Sequence, residues 1–159
     1  MTRAVEARAQ VSCRLAAPGP DLAAHHRVRH QVFVTEQQIF VHGDRDDRDD
    51  DPATLHVLGL VDGEPAGTVR LYPLDDGPEP TRWQGDRLAV LAAHRTSGLG
   101  GPLVRFAVAT AGALGGATML AHVQQANERF FVRLGWTSLG NEDYVGRPHV
   151  RMEIALSAP

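Results

Sequence analysis

The chain has 159 residues, 43% of them apolar and 22% charged, with a net charge of −3. That length supports one domain with a sizeable core, and that charge gives no electrostatic argument for nucleic acid or an anionic membrane as partner. All 16 basic residues are arginine, which excludes Schiff-base, pyridoxal phosphate and P-loop lysine chemistry.

Residues 1–159 read as a single domain, with 1–9 as a flexible tail. Met1–Gln10 is charged and lacks the apolar stretch of a signal peptide. No run of about 18 apolar residues is present to span a membrane. Cys13 is the one cysteine, so no internal disulfide forms, and a cytoplasmic location is expected.

Val11, Cys13 and Leu15 alternate with polar residues and predict a first strand, stopped by Pro18-Gly19-Pro20. Asp21 suits an N-cap, and Leu22–Val34 reads as a helix with a further turn over Glu36–Phe40. Asp44–Asp51 holds six aspartates and two arginines and reads as a solvated loop. It fails the EF-hand pattern for want of the central glycine; a rim attracting a cationic substrate is the alternative.

Thr54–Val61 and Ala66–Leu74 predict two strands joined by the hairpin signal Asp62-Gly63. Asp75–Pro80 is a loop. Trp83–Leu91 is the next strand. It leads to Arg95-Thr96-Ser97-Gly98-Leu99-Gly100-Gly101 and then to a helix over Pro102–Leu114, stopped by Gly115-Gly116. Thr118–Val123 predicts a strand, Gln125–Leu134 a short helix, Asn141–Gly146 a loop and Pro148–Leu156 a last strand. Val150, Met152, Ile154 and Leu156 share one face of that strand. The order is that of a mixed α/β domain.

The glycine loop is the strongest functional signal. Glycines let backbone N–H groups approach a ligand, and a following helix presents its positive end. The arrangement suits a phosphate or pyrophosphate. It is not a P-loop, lacking Gly-Lys-Ser/Thr. It is not a dinucleotide fingerprint either, because no acid lies about 20 residues on, around Leu120–His122. Phe130-Phe131-Val132-Arg133-Leu134-Gly135-Trp136 forms a second cluster, a core-facing helix end whose aromatics could wall off an apolar ligand arm.

These stretches, in this order, resemble the GCN5-related N-acetyltransferase (GNAT) superfamily: Arg87-Leu88-Ala89-Val90, the Arg95–Gly101 loop, the Phe130–Trp136 helix end and the terminal strand. Val28–Gln37 and Gly146–Met152 are similar to the nitrogen-starvation-type subgroup. The resemblance implies a mostly antiparallel central sheet of about six to seven strands flanked by helices. It implies acetyl-CoA as co-substrate, no metal, and an amine acceptor on a small molecule or peptide, with a homodimer as a common state. Leu88, Ala89 and Val90 would pair with the pantetheine arm like an added strand. Amides of Arg95, Thr96, Ser97, Gly98, Leu99, Gly100 and Gly101 would hold the pyrophosphate. Asn127, Phe130 and Phe131 would flank the thiol end.

Acyl transfer from a thioester to an amine needs a base for the amine and a proton donor for the leaving thiolate. Relatives often carry a tyrosine where this chain has Phe131, so the general acid is unassigned, with Tyr144 or water as the candidates. Asp86 is the candidate base, expected to share a face with Leu88 and Val90. Glu36, His56, His122 and His149 are further candidates, of which His149 matches the subgroup. Two other readings remain: a non-catalytic acyl-CoA sensor on the same fold, and a nucleotide-binding module using the glycine loop.

Overall fold

The computed structural model describes residues 8–157; most of the tail expected over 1–9 lies outside them. Seven strands form one sheet in the order β1-β2-β3-β4-β5-β7-β6. They are β1 (Val11–Leu15), β2 (Leu55–Val61), β3 (Glu64–Pro73), β4 (Arg82–Val90), β5 (Thr118–Gln124), β6 (Thr137–Tyr144) and β7 (Arg147–Ala155). Every pairing is antiparallel except β4 with β5.

Alternation along the strands sorts the helices onto two faces. Leu58 and Leu60 of β2 pack with Ala24 of α1 (Pro20–Arg29). Val57 and Val61 point the other way, into the core formed with α2 (Gly100–Ala113) and α3 (Glu128–Arg133). The close approach of α2 depends on a missing side chain: a Cβ on Gly67 would lie 2.8 Å from both Leu99 and Leu103.

The helix expected over Leu22–Val34 is α-helical only to Arg29. His30–Glu36 is wound as a π-helix, with the Gln37 amide bonding the Val32 carbonyl at 2.9 Å. Pro20 starts α1, while Asp21 ion-pairs with Arg14 instead of capping. The Asp62-Gly63 hairpin forms as expected, both residues at positive φ.

Asn141–Gly146 is not a loop. Its first part is strand β6, and Val145-Gly146 makes a two-residue turn with φ of 48° and 73°. A β-branched residue rarely takes that conformation, so Val-Gly carries no hairpin signal in the sequence.

Asp44–Asp51 is only partly the solvated loop expected: Arg45, Asp47, Asp50 and Asp51 are exposed, while Asp44 and the Asp49 side chain are buried. Asp44 is 3% exposed and accepts from Arg29 and Arg87. Asp49 accepts from Arg29 at 2.6 Å and from His56 at 3.0 Å, and Arg70 lies 3.2 Å away. Asp46 and Asp86 hold the two sides of the Arg70 guanidinium. Three arginines from α1, β3 and β4 thus meet four aspartates, and the segment folds down over the α1 face.

Candidate active site

Strands β4 and β5 pair only over Arg82–Gln84 and Thr118–Leu120. Beyond that ladder β4 pairs with β3 and β5 with β7, leaving a gap between them. In β4, Val69 of β3 stands opposite two residues, Arg87 and Leu88, because the register shifts between Thr68 and Arg70. Arg87 takes φ 52°, and its carbonyl accepts from Thr68 Oγ1 at 2.8 Å. This bulge breaks the period-two alternation. Asp86 pairs with Arg70 on the α1 face, whereas Leu88 and Val90 pack on the α2 side. The expectation that the three share a face is therefore corrected. Asp86 is also held by Arg87 at 3.6 Å, so its oxygens serve the ion-pair network.

A groove runs beside the open end of β4. It is lined by Leu88, Ala89, Val90, Arg95, Gly98, Gly100, Gly101, Asn127 and Phe130, as expected from the sequence. Gly98 has φ 81° and ends the 3-10 turn Ala92–Ser97; no side chain caps the N-terminus of α2. An uncapped helix start beside glycines leaves amides for an anion. Arg105 and Arg133 also line the groove and add positive charge that no motif signals. Four expected residues keep their side chains out of this groove; for the loop residues the expectation concerns backbone amides, not side chains. Leu99 is 1% exposed, its side chain packed in the core. Ser97 Oγ donates to the His94 carbonyl at 2.5 Å. Thr96 does not line the groove, and Phe131 packs edge-on against Trp136 and lines the adjoining cavity rather than the groove. Arg95 is tied to Glu36 and to the Val90 carbonyl, and Glu36 lines neither the groove nor the adjoining cavity.

The groove shares Leu88, Gln124 and Asn127 with a cavity that collects most of the remaining candidates. Asp86, His122, Tyr144 and His149 line it. His122 stacks on Tyr144, ring centroids 4.3 Å apart, and Tyr144 meets His149 edge-on at 5.3 Å. The Glu142 carboxylate accepts a hydrogen bond from His122 Nδ1. His149 Nδ1 donates to the Arg147 carbonyl at 2.9 Å. Each bond uses the Nδ1 proton, so a neutral ring keeps its lone pair on Nε2. Glu142 is the residue the sequence does not single out: it falls in the expected loop, and only β6–β7 pairing sets it opposite His149.

His56 lies apart, beneath α1, in a cluster with His25 and His26. Burial pushes His25 down to about 3. Ligand atoms of His26, Asp49 and His56 lie within 4.8 Å of one another. However, both Asp49 oxygens already accept hydrogen bonds, from Arg29, His56 and the Asp46 amide, which leaves that carboxylate saturated.

A split parallel pair at the sheet's centre, with a glycine-opened helix beside the gap and titratable groups beyond it, defines an acyl-CoA-type transferase architecture. The chain belongs to the acetyltransferase (GNAT) family, whose profile matches residues 21–136. It is 30% identical over 129 residues to the uncharacterized N-acetyltransferase YjcF of Bacillus subtilis (strain 168), covering 79% of this chain and 86% of that protein. The fold is shared with a candidate N-acetyltransferase from Lactobacillus plantarum, at 24% identity and a TM-score of 0.76 over 94% of this chain and 99% of that one. It is shared too with an aminoglycoside 6′-N-acetyltransferase complexed with coenzyme A, at 15% identity and a TM-score of 0.71 over 94% and 99%.

Proposed function

We propose that this chain transfers an acyl group, with acetyl as the simplest case, from acyl-CoA to a primary amine of a small molecule or peptide. The observation that carries this is the continuity of the two spaces. The groove from Gly98–Gly101 meets the cavity of His122, Tyr144 and His149 at Leu88, Gln124 and Asn127, inside the β4–β5 gap. The coenzyme A held by the aminoglycoside enzyme of the same fold supports the donor class.

In this reading the α2 amides and Arg105 and Arg133 hold the phosphates, and the free edge of Leu88–Val90 pairs with the pantetheine amides. The amine attacks the thioester carbonyl. A C–N bond forms, the C–S bond breaks, the amine proton passes to His122 Nε2, and the thiolate takes a proton from Tyr144 or water. Glu142 fixes the tautomer and orientation of His122 and stabilises the imidazolium. Asp86 is a positioning residue that holds the Arg87 bulge.

A non-catalytic acyl-CoA sensor is the second reading. It is favoured by Phe131, which is buried in the core at the position where relatives often place a tyrosine. Thermal shift with acetyl-CoA, CoA, ATP and NAD separates ligand classes, since ligand at about 100 times Kd adds about 2.7 kcal/mol. A shift with the CoA compounds, lost in Gly98→Val, is expected. A shift with ATP or NAD alone refutes the proposal. Thiol release across an amine panel then distinguishes enzyme from sensor.

A further inference from the structure

The cavity beyond the groove is lined from both faces of the sheet and passes through the β4–β5 gap. Its end on the α1 face is where an acceptor would meet His122. Five titratable side chains line the cavity, Asp86, Arg87, His122, Tyr144 and His149, and none of them carries a charge left free for a ligand. Both Asp86 oxygens accept from Arg70, at 2.7 and 2.6 Å. Arg87 donates through Nε and Nη2 to Asp44 and lies over the Phe40 ring, 4.7 Å from its centroid. Its Nη1 faces Asp86 Oδ2 at 3.6 Å. His122 is held by Glu142, and His149 by the Arg147 carbonyl. Asp44, Asp46 and Asp49, acids that could have drawn a polycation, are spent on Arg29, Arg70 and Arg87. The rest of this end is apolar. Phe33, Ile39 and Phe40 come from the cluster packed on the α1 side of the sheet, and Phe33 meets Phe40 edge-on with centroids 6.5 Å apart. Val145, in the β6–β7 turn, lines the cavity and is 42% exposed, so it stands at the mouth.

We infer that the acceptor is a primary amine with no second charge and an apolar remainder, an alkyl- or arylalkylamine rather than a polyamine or an amino acid. The inference rests on the acyl-transfer reading above and names its acceptor class. A second ammonium group, or a carboxylate, drawn into this end would lose its hydration and find no unspent counter-ion. A buried charge without a partner is costly. An apolar group instead covers Phe33, Ile39 and Phe40 and removes their surface from water. Only the reacting nitrogen needs a polar partner, and His122 Nε2 is the one that takes its proton.

The test is thiol release from acetyl-CoA by the full chain with three amines of similar length, hexylamine, 1,5-diaminopentane and 6-aminohexanoate, and with 2-phenylethylamine. CoA binding is followed alongside by calorimetry. Hexylamine and 2-phenylethylamine should show kcat/KM at least about tenfold above either doubly charged amine. Val145→Asp puts a carboxylate at the mouth. Val145 has φ 48°, which aspartate tolerates better than valine, so folding is not at risk. This variant should raise the ratio of diamine to hexylamine turnover about two- to fivefold. Phe40→Ala should lower kcat/KM for the two apolar amines more than for the diamine. Equal or faster turnover of the diamine or of 6-aminohexanoate by the unmodified chain overturns the acceptor class while leaving acyl transfer standing. Ratios unchanged in both variants place the acceptor elsewhere and refute the assignment. CoA binding with no turnover of any amine removes the acceptor site and leaves the sensor reading; failure of CoA to bind removes the acyl-CoA reading itself.

Discussion

Arg29→Met tests whether the acidic segment is structural. Arg29 is fully buried and donates to Asp44 Oδ2 at 2.6 Å and to the two oxygens of Asp49 at 2.6 and 3.0 Å. Methionine keeps an unbranched stem of similar reach but leaves two buried carboxylates short of a cation. Removing one partner of a buried pair costs about 3–5 kcal/mol. Arg70 remains 3.2 Å from Asp49 and Arg87 3.2 Å from Asp44, so the lower figure applies. For a chain of this length each kcal/mol lowers the midpoint by about 2–4 °C, giving a drop of about 6–12 °C at pH 7. Thermal and urea unfolding followed by circular dichroism read it directly. Adding Asp49→Leu should recover part of the loss, because an apolar pair replaces a broken ionic one. Arg14→Met, which breaks the exposed pair with Asp21, should leave the midpoint in place. If Arg29→Met unfolds like Arg14→Met, the buried network is refuted and the segment is a solvated loop after all.

His122→Asn should lower kcat by about 10²–10⁴-fold, with acyl-CoA affinity retained; Glu142→Gln should lower it less, because the ring remains. Full activity in His122→Asn would move the base to His149. Acid sensitivity follows from His25, whose Nδ1 donates to the Val57 carbonyl at 2.9 Å while Nε2 faces Arg29. Burial lowers its pKa from 6.5 to about 3, and His26 shifts the same way to about 4. The folded chain therefore binds fewer protons than the unfolded chain across this window. Stability is complete above about pH 6.5 and falls as pH drops toward 4, His25 contributing up to about 1.4 kcal/mol per pH unit. Melting midpoints from pH 7.5 to 4.5 should decline steadily; a flat profile would mean that His25 is charged or exposed.

Local chemistry made much of this protein legible. Period-two alternation placed Val11–Leu15 and Val150–Ile154, Asp62-Gly63 placed a hairpin, and the Gly98–Gly101 turn into an apolar helix placed the glycine-lined end of the groove. These features depend on neighbours within a few residues, which the order of residues specifies. The parts that failed depend on partners far along the chain. Asp44, Asp46 and Asp49 look solvated until Arg29, Arg70 and Arg87 arrive from three different elements to neutralise them. Asp86 looks aligned with Leu88 until the pairing of β3 with β4 inserts a bulge at Arg87. Glu142 has no meaning until β6 folds beside β7 and carries it to His122. The gap between β4 and β5 is written in neither strand alone: it opens because the two pair over only three residues, and the through-sheet cavity on which the proposed chemistry depends exists only once both have found their other neighbours.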